Sequence, residues 1–307
     1  MNQYVNTIVT TTINPPTEAT KKFSEMPGWN LIVVGDLKTP HDEYKKLNCV
    51  YLDPETQENK YPVLSQLIGW NSIQRRNLGF IEAFNRGAEI IASVDDDNIP
   101  LANWGKNVFV GKTVECDLYS CDNGVFDPLS VTNSSHLWHR GYPIEFLNSR
   151  HKTKNLGKSH RKVLVQADLW NGDPDIDAIA RINFRPEVEF PEILSPFCSS
   201  NISPFNSQNT FLSREVFPVY SVLPFIGRMD DIWASYILQH HFPDSVIYNQ
   251  ASVYQARNPQ DLVTNLENEI FGYRNTLNLL NNLSNYHQLL PQGTIAFIDE
   301  YMKCFKV

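Results

Sequence analysis

The sequence predicts an α/β protein in which a mostly parallel sheet flanked by helices is followed by an irregular α+β half. Two observations carry this prediction. Over the first hundred residues, short apolar runs rich in valine and isoleucine alternate with helical segments, which is the pattern of buried parallel strands joined by helices. Beyond Pro100 the alternation weakens into a stretch rich in proline, asparagine and serine. We expect one continuous domain with two halves, residues 1–104 and 105–307.

Local signals predict each element of the first half. Apolar, β-branched runs predict four strands, at Asn6–Ile13, Asn30–Asp36, Cys49–Asp53 and Glu89–Val94. Asn14 and Pro15 are residue types suited to a helix cap and a first helical position, so a helix is predicted over 17–26. A second helix is predicted over Ser72–Ala88, because its apolar residues recur on one face. Ligands are expected at the carboxyl ends of the strands.

The second half has fewer clear elements. Strands are placed loosely at Val114–Tyr119 and Lys162–Leu169, and helices are predicted at Asp230–His241 and Asp261–Asn282. Neither an internal repeat nor a linker-like segment interrupts the chain, which favours a single domain.

Composition and charge exclude several classes of protein. The chain has 307 residues, of which 42% are hydrophobic, and its 26 Lys and Arg face 34 Asp and Glu, for a net charge of −8. Since no basic block is present, we expect neither nucleic acid nor an anionic lipid surface as a partner. A phosphate-bearing ligand would need a few placed cations, backbone N–H groups or a metal ion. The sequence is compatible with an oligomer.

The cellular location and the state of the thiols are also predicted. No run approaches the ~18 apolar residues of a membrane span, and the first residues lack the features of a secretion signal. We therefore expect a soluble, cytoplasmic protein without a membrane span. The five cysteines are scattered and form no CxxC pair, so reduced and mostly buried thiols are expected. The motifs of phosphate-loop NTPases, dinucleotide oxidoreductases and α/β-hydrolases are missing.

Three consecutive aspartates, Asp95, Asp96 and Asp97, follow the fourth predicted strand. Adjacent carboxylates repel one another, so they make sense where a strand ends at a cation site. Mg²⁺ and Mn²⁺ prefer one or two protein carboxylates together with phosphate oxygens of a substrate. Strand alternation would put Asp95 and Asp97 on one side and Asp96 on the other. The alternative is a solvated acidic turn before Asn98.

The segment SIQRRNLGFIEAFNRGAEIIASVDDDNIP resembles the signature of GT-A glycosyltransferases. This resemblance implies a GT-A-like, Rossmann-type fold and a nucleoside diphosphate sugar donor bound with Mn²⁺ or Mg²⁺. It implies that Asp95 contacts the ribose and contributes to the metal site, and that Asp97 is the metal ligand. Asp96 would lie at the nucleotide in a less certain role.

Further nucleotide contacts are implied by the same resemblance. Arg75, Arg76 and Asn77 would lie near the nucleotide, although an exposed helix start explains them equally simply. Asp36 has the position of a carboxylate that recognises the base, or of a turn cap before Thr39. Thr11 ends the first strand, where the family contacts the nucleotide, but β-propensity alone would also place threonine there.

Two closer resemblances extend along the chain. TTTINPPTEATKKFSEMPGWNLIVVGDLKTP and RNPQDLVTNLENEI are similar to the STELLO-type glycosyltransferase domain. RGYP, ADLWNGDPDIDA and GRMDDIWA are similar to the reversibly glycosylated polypeptides, the UDP-arabinopyranose mutase family. These matches occur in the right order between about residue 8 and residue 270.

The late motifs suggest catalytic roles. In inverting GT-A enzymes a carboxylate at a comparable helix start is the general base, so the resemblance implies Asp231 first and Asp230 second. The alternative is a helix cap. Arg228 would counter the diphosphate or pair with these acids. Arg140, in the RGYP segment, matches the glycosylated arginine of the mutases, but a diphosphate clamp or a structural role is equally open.

Together these observations predict a metal-dependent glycosyltransferase that uses a nucleoside diphosphate sugar, with a UDP-sugar expected. Residues 1–104 would bind the donor, and residues 105–307 would hold an unknown acceptor, which is a glycan, a lipid-linked molecule or a small molecule. One alternative is a UDP-sugar pyranose–furanose mutase. A second is a non-catalytic scaffold that retains the fold.

Overall fold

The computed structural model describes residues 5–192 and 195–305, in which one mixed β-sheet runs through the molecule with helices packed against it. Within these residues the sheet has eleven strands: β1 (Asn6–Thr12), β2 (Asn30–Gly35), β3 (Val50–Leu52), β4 (Ile90–Val94), β5 (Asn98–Pro100), β6 (Thr113–Cys121), β7 (Thr153–Lys162), β8 (Val165–Gly172), β9 (Phe197–Ser199), β10 (Asn209–Ser213) and β11 (Val246–Gln255). The α-helices are α1 (Glu18–Ser24), α2 (His41–Tyr44), α3 (Pro54–Lys60), α4 (Pro62–Ile68), α5 (Arg76–Asn85), α6 (Ala178–Phe184), α7 (Asp230–His241), α8 (Leu262–Asn281) and α9 (Gln292–Lys303).

The first half of the sheet is parallel, as expected. Strands β3, β2, β1 and β4 lie side by side in that order, and each of the four predicted strands is confirmed to within one residue at either end. Beyond β4 the sheet is mixed: β10 runs antiparallel to both β4 and β8, whereas β11 is parallel to β8. The α/β prediction is confirmed, and the arrangement is compatible with a Rossmann-like glycosyltransferase fold.

The first helix begins later than predicted. Its cap is Thr17, whose Oγ1 accepts a hydrogen bond from the backbone N–H of Thr20 at 3.1 Å. The prediction that Asn14 is the cap is therefore wrong. Asn14 instead donates from Nδ2 to Asp96 at 2.9 Å, so it belongs to the loop at the carboxyl end of β1.

The predicted helix over Ser72–Ala88 is a turn of 3₁₀-helix, Ile73–Arg75, followed by α5. Gly79 lets α5 approach the sheet closely, because a Cβ atom there would lie 2.5 Å from Cγ1 of Val9 on β1. This close packing places the start of α5 beside the carboxyl ends of β1 and β4.

The second half is only partly as predicted. The helix over Asp230–His241 is confirmed as α7, and the helix predicted over Asp261–Asn282 is α8. The strand predicted at Lys162–Leu169 begins at Val165, because Lys162 ends β7. In this half the sequence did not predict β7, β9, β10, β11, α6 and α9.

Helix α7 lies deep in the core. Every residue from Asp230 to Leu238 is buried, and the Nε1–H of Trp233 donates to Oγ1 of Thr276 on α8 at 2.9 Å. The two aspartates at the start of α7 are therefore held on a rigid element. Of the cysteines, Cys116, Cys121 and Cys198 are buried, and all five are free. Among the described helices, none has the length and apolar character that crossing a membrane requires.

Candidate active site

The carboxyl ends of β1, β2 and β4 open into two adjoining clefts. The first, here named the Thr11 cleft, has a volume of about 590 Å³ and is lined by residues that include Thr11, Asp36 and Asp96. The second, the Asp230 cleft, has a volume of about 450 Å³ and is lined by Asp95, Asp230 and others. The segment 71–73 lines both clefts, so a ligand of two linked parts could extend from one into the other.

Asp36 and Thr11 both line the Thr11 cleft. The carboxylate of Asp36 accepts hydrogen bonds from the backbone N–H groups of Asn71 at 2.9 Å and Ser72 at 3.1 Å. It thereby fixes the loop that separates the two clefts. Oγ1 of Thr11 donates to the carbonyl of Val34 at 2.9 Å. Both side chains thus have a local structural role, and their contact with a nucleotide stays a prediction.

The three aspartates form a turn, which we call the triple-aspartate turn (Asp95–Asp97). Strand β4 ends at Val94, and the backbone N–H of Asn98 donates to the carbonyl of Asp95 at 3.3 Å. The premise that strand alternation sets the side-chain directions is therefore wrong. Asp95 lines the Asp230 cleft, whereas Asp96 lines the Thr11 cleft.

The expectation of a merely solvated acidic turn does not fit the burial. Asp96 is 9% exposed, and its carboxylate accepts from Oγ1 of Thr12 at 2.5 Å. Asp97 accepts from Nε2 of Gln255 at 2.7 Å and from the backbone N–H of Asn258 at 3.2 Å. Burial raises the pKa of Asp97 to about 6, and the charges of Asp95 and Asp96 contribute to the rise. The three carboxylates are adjacent, with Asp95 in the lining of one cleft, Asp96 in the lining of the other and Asp97 in neither.

The donor set of the triple-aspartate turn suits a divalent cation that shares its ligands with a substrate. Asp95 and Asp97 are hard oxygen donors, and the side chain of Asp95 keeps 21% of its surface exposed. No group of three or more His, Cys, Asp or Glu side chains that could hold a metal occurs within residues 5–192 and 195–305. The remaining ligands would therefore be substrate oxygens and water.

Among the three predicted helix-start residues, Arg76 is bound to an acidic residue of the cleft lining. Its Nη2 lies 2.5 Å from Oδ1 of Asp95, and its Nη1 donates to the carbonyl of Ser207 at 2.9 Å. Arg76 holds Asp95 in place from inside the protein, since the side chain of Arg76 is fully buried.

The side chains of Arg75 and Asn77 have structural partners, and Asn77 reaches the Asp230 cleft only through the backbone of Val222, which lines it. The guanidinium of Arg75 donates to Gln57 at 2.7 Å and stacks on the ring of Trp70, 3.3 Å from its centroid. Asn77 exchanges two hydrogen bonds with the backbone of Val222, at 2.7 and 2.8 Å. The alternative of an exposed helix start is wrong for all three residues, because each is fully buried.

Asp230 lines its cleft with a carboxylate whose pKa is raised. Oδ2 accepts from Nε2 of Gln74 at 2.7 Å, and Oδ1 accepts from the backbone N–H of Asp231 at 3.0 Å. Burial and the neighbouring charge of Asp231 raise the pKa of Asp230 to about 7, although Arg140 opposes the rise. Such a carboxylate can gain or lose a proton near neutral pH.

Asp231 is bound more completely than Asp230. Its Oδ2 accepts from the backbone N–H of Ser207 at 2.8 Å and from Oγ of the same residue at 3.0 Å. Nη1 of Arg140 lies 3.0 Å from Oδ1 of Asp231. Oδ2 of Asp231 is therefore fully engaged, whereas Oδ1 is held in the ion pair with Arg140 and has no hydrogen bond among the described residues.

Arg140 is the centre of a buried ionic network. Its Nε and Nη2 bind the two carboxylate oxygens of Asp175 at 2.9 and 3.0 Å, and its Nη1 also donates to the carbonyl of Arg228. Burial alone would disfavour the charged guanidinium, but Asp175 and Asp231 outweigh it and raise the pKa of Arg140 well above the usual value. The same pairing lowers the pKa of Asp175 despite its burial.

Arg228 lines the Asp230 cleft, with 26% of its side chain exposed. Its Nε donates to Glu269 on α8 at 2.9 Å. Arg228 therefore pairs with Glu269 and not with Asp230 or Asp231 of α7. The guanidinium is anchored on one side and open to the cleft on the other.

Several residues of the cleft walls were not predicted from the sequence, among them Gln74, Ser207 and Arg257. Gln74 directly precedes the predicted Arg75, and Arg257 begins the segment that is similar to the STELLO-type domain. Ser207 has no sequence signal, since only the fold brings it to Asp231.

The fold is that of an α/β protein, compatible with a Rossmann-like arrangement, with an acidic, polar cleft at the carboxyl ends of its strands. Comparison with known proteins found two curated relatives. The chain is 26% identical over 231 residues to the probable glycosyltransferase STELLO2 of Arabidopsis thaliana, and 26% identical over 229 residues to the probable glycosyltransferase STELLO1 of the same plant. Each match covers 68% of this chain, and 30% and 29% of the relatives.

The resemblance to STELLO-type glycosyltransferases is thus confirmed, and this chain spans less than a third of the length of these relatives. No protein-family model matches the sequence. The resemblance to the mutases stays a prediction.

Proposed function

We propose that the protein is a glycosyltransferase that takes its sugar from a nucleoside diphosphate donor. One observation carries this proposal: the triple-aspartate turn and Asp230 contribute to the same cleft, because Asp95 and Asp230 both line it. The first offers hard oxygen ligands, and the second offers a base poised near neutral pH. The names of the two relatives point to the same reaction class.

The Thr11 cleft would hold the nucleoside. Asp36 and Asp96 lie on its walls and can accept hydrogen bonds from base or ribose, while Thr11 contributes backbone and hydroxyl groups. A UDP donor remains our expectation. Asn71 and Ser72 would lie where nucleoside and sugar meet, since both clefts share them.

Asp95 and Asp97 would hold Mn²⁺ or Mg²⁺ at the diphosphate. When bound, the cation would neutralise charge on the departing nucleoside diphosphate. Arg76 orients Asp95 for this task, and Arg228 can contribute a fixed positive charge from the opposite wall.

Asp230 is the preferred general base. The resemblance ranks Asp231 first, but the contacts favour the reverse, because the carboxylate of Asp231 is taken by Ser207 and Arg140. Asp230 has a raised pKa and lines the cleft. It would accept the proton of the acceptor hydroxyl as that oxygen attacks the anomeric carbon, and Gln74 would hold the carboxylate in position.

The alternatives have weaker support. A mutase that uses Arg140 as its nucleophile needs a nitrogen lone pair, and the two carboxylates around Arg140 hold its guanidinium protonated. A scaffold has no need for a buried carboxylate such as Asp230, whose ionisation is opposed by burial. The expectations of a cytoplasmic location and of no nucleic-acid partner stay predictions.

The test has a binding arm and a reaction arm. Binding of UDP in the presence of Mn²⁺ is measured by calorimetry for the wild type, Asp97→Asn and Asp122→Asn. The exposed Asp122, which pairs with Lys154, serves as the matched control. We expect at least about tenfold weaker binding for Asp97→Asn alone, because an amide oxygen is a far weaker ligand for a hard cation than a carboxylate. Equal affinity of all three proteins would contradict the metal assignment.

In the reaction arm, a panel of nucleotide sugars is incubated with the protein and Mn²⁺ and analysed by chromatography with mass detection. Slow release of free nucleoside diphosphate supports the transferase. A new peak of unchanged mass would instead reveal a mutase. If no donor is turned over and no donor binds, the non-catalytic scaffold is the alternative that remains.

A further inference from the structure

A third cleft adjoins the two already described. It has a volume of about 460 Å³, and we name it the Arg185 cleft. It shares the segment 258–260 with the Thr11 cleft and Arg257 with the Asp230 cleft. A molecule in the Arg185 cleft would therefore lie directly across a single loop from the proposed donor.

Positive charge in this cleft exceeds negative charge. Arg181, Arg185 and Arg257 line it, and among the described residues of its lining Asp173 is the one acidic side chain. Oδ1 of Asp173 pairs with Nη1 of Arg181 and lies 3.1 Å from Nε of Arg257. One carboxylate oxygen thus serves two guanidinium groups, and the lining carries a surplus of two positive charges (three Arg minus one Asp).

The burial, the pKa values and the ion pairs of the arginines agree with this surplus of positive charge. Arg181 and Arg257 both have side chains that are less than a tenth exposed. Burial lowers the pKa of Arg181, and the adjacent charge of Arg257 lowers it further. Arg185 is exposed at the end of α6, and no ion pair of its guanidinium occurs within the part of the chain that the structure describes. Two crowded guanidiniums and one free guanidinium form a ready receptor for an anion.

We propose that the Arg185 cleft binds an oxyanion group, a phosphate or a carboxylate, on the acceptor substrate. This inference rests on the proposed function and adds the chemical class of the acceptor, an acidic sugar or a sugar phosphate. The net charge of −8 would repel such a molecule elsewhere on the surface. A local cluster of arginines therefore gives both attraction and orientation, because guanidinium binds oxyanions through two parallel hydrogen bonds.

Position favours the acceptor over the donor as the source of this anion. The triple-aspartate turn holds the donor's diphosphate in the proposal above, and the backbone N–H of Asn258 is bound to Asp97 at 3.2 Å. The loop 258–260 therefore lies between that diphosphate and the Arg185 cleft. Arg257 faces both the Asp230 cleft and the Arg185 cleft, so an acceptor anchored there could extend its hydroxyl towards Asp230.

The test measures binding of inorganic phosphate and, separately, of glucuronate by calorimetry, with and without UDP and Mn²⁺. The proteins are the wild type, Arg185→Gln and Arg274→Gln, an exposed arginine of α8 outside the three clefts. Both substitutions lie on the surface, and thermal melting confirms that each variant is folded. We expect Arg185→Gln to weaken binding of at least one anion about tenfold, while Arg274→Gln leaves it unchanged.

The anion that shows this loss identifies the source, phosphate for a sugar phosphate and glucuronate for an acidic sugar. Binding in the presence of saturating UDP and Mn²⁺ must persist. Equal affinities of the two variants, no binding of either anion, or displacement of the anion by UDP would each overturn the inference. If the anion binds through Arg185 but no donor binds any protein, the proposed function fails while the anion site stands.

Discussion

Replacing Asp230 with asparagine should abolish transfer and yet stabilise the protein at alkaline pH. The folded state raises the pKa of Asp230 from 3.8 to about 7. In the interval between these values, the folded state keeps a proton that the unfolded state has lost. The free energy of unfolding therefore falls as the pH rises from about 4 to about 7. Asparagine does not titrate, so the variant lacks this fall.

The magnitude follows from the same two values. Their difference is about three pH units, and at about 1.4 kcal/mol per unit the ionised Asp230 destabilises the fold by up to ~4 kcal/mol. Asparagine has one acceptor oxygen where Asp230 uses two, for Gln74 and for the N–H of Asp231, and the lost bond costs about 1 kcal/mol. Asp230→Asn should thus be about 2–3 kcal/mol more stable than the wild type at pH 8, and roughly 1 kcal/mol less stable at pH 4.

The assay is urea denaturation at pH 4, 6 and 8, together with the pH profile of donor turnover. Asp168→Asn is the matched control, because Asp168 is buried with a pKa raised to about 7 by burial and lines none of the three clefts. Each variant should lose only the part of the pH dependence of stability that its own aspartate contributes, and only Asp230→Asn should lose activity. The wild-type rate should rise with pH to a plateau above about pH 7. A stability difference that does not change with pH, or full activity of Asp230→Asn, would refute the reasoning.

Two further substitutions test the surroundings of the base. Gly141→Ala should lower the free energy of unfolding by at least ~2 kcal/mol in urea titrations, because φ is +79° and an added Cβ would overlap Cγ2 of Ile232. A wild-type midpoint would contradict that packing. Arg140→Ala should cost about 3–5 kcal/mol at pH 7.5, since it leaves Asp175 and Asp231 buried without their partner. A loss below ~1 kcal/mol would show that solvent compensates these charges.

The sequence alone was informative wherever one local signal decides a structure. Alternating apolar strands and helices are read from periodicity, so the parallel half of the sheet was predictable to within a residue at each strand end. Strand β7 gives no such signal, because the residues of TKNLGKSHRK are mostly exposed and only one of its side chains is apolar. Its place in the sheet comes from pairing with β6, and pairing partners are set by the tertiary fold.

For the site, residue types were predictable but side-chain partners were not. Arg75 and Arg76 are neighbours in the sequence, and both were expected at the nucleotide. In the fold Arg76 binds Asp95, while Arg75 turns to Gln57 and Trp70. The two guanidiniums diverge because they leave the 3₁₀-helix and α5 in different directions. No sequence pattern at that position distinguishes a ligand contact from a structural one.

The partners of Arg140 determine whether its guanidinium can act as a nucleophile. From the RGYP motif alone, a nucleophile, a phosphate clamp and a structural ion pair were equally open. Asp175 and Asp231 surround the guanidinium and keep it charged. A charged guanidinium has no lone pair for attack on a sugar carbon, and one that already binds two carboxylates has little left for a diphosphate. It does hold Asp231, and through the start of α7 it positions Asp230. Arg140 therefore supports the proposed base indirectly, and this structural role favours the proposed transfer to an acceptor over isomerisation of the donor.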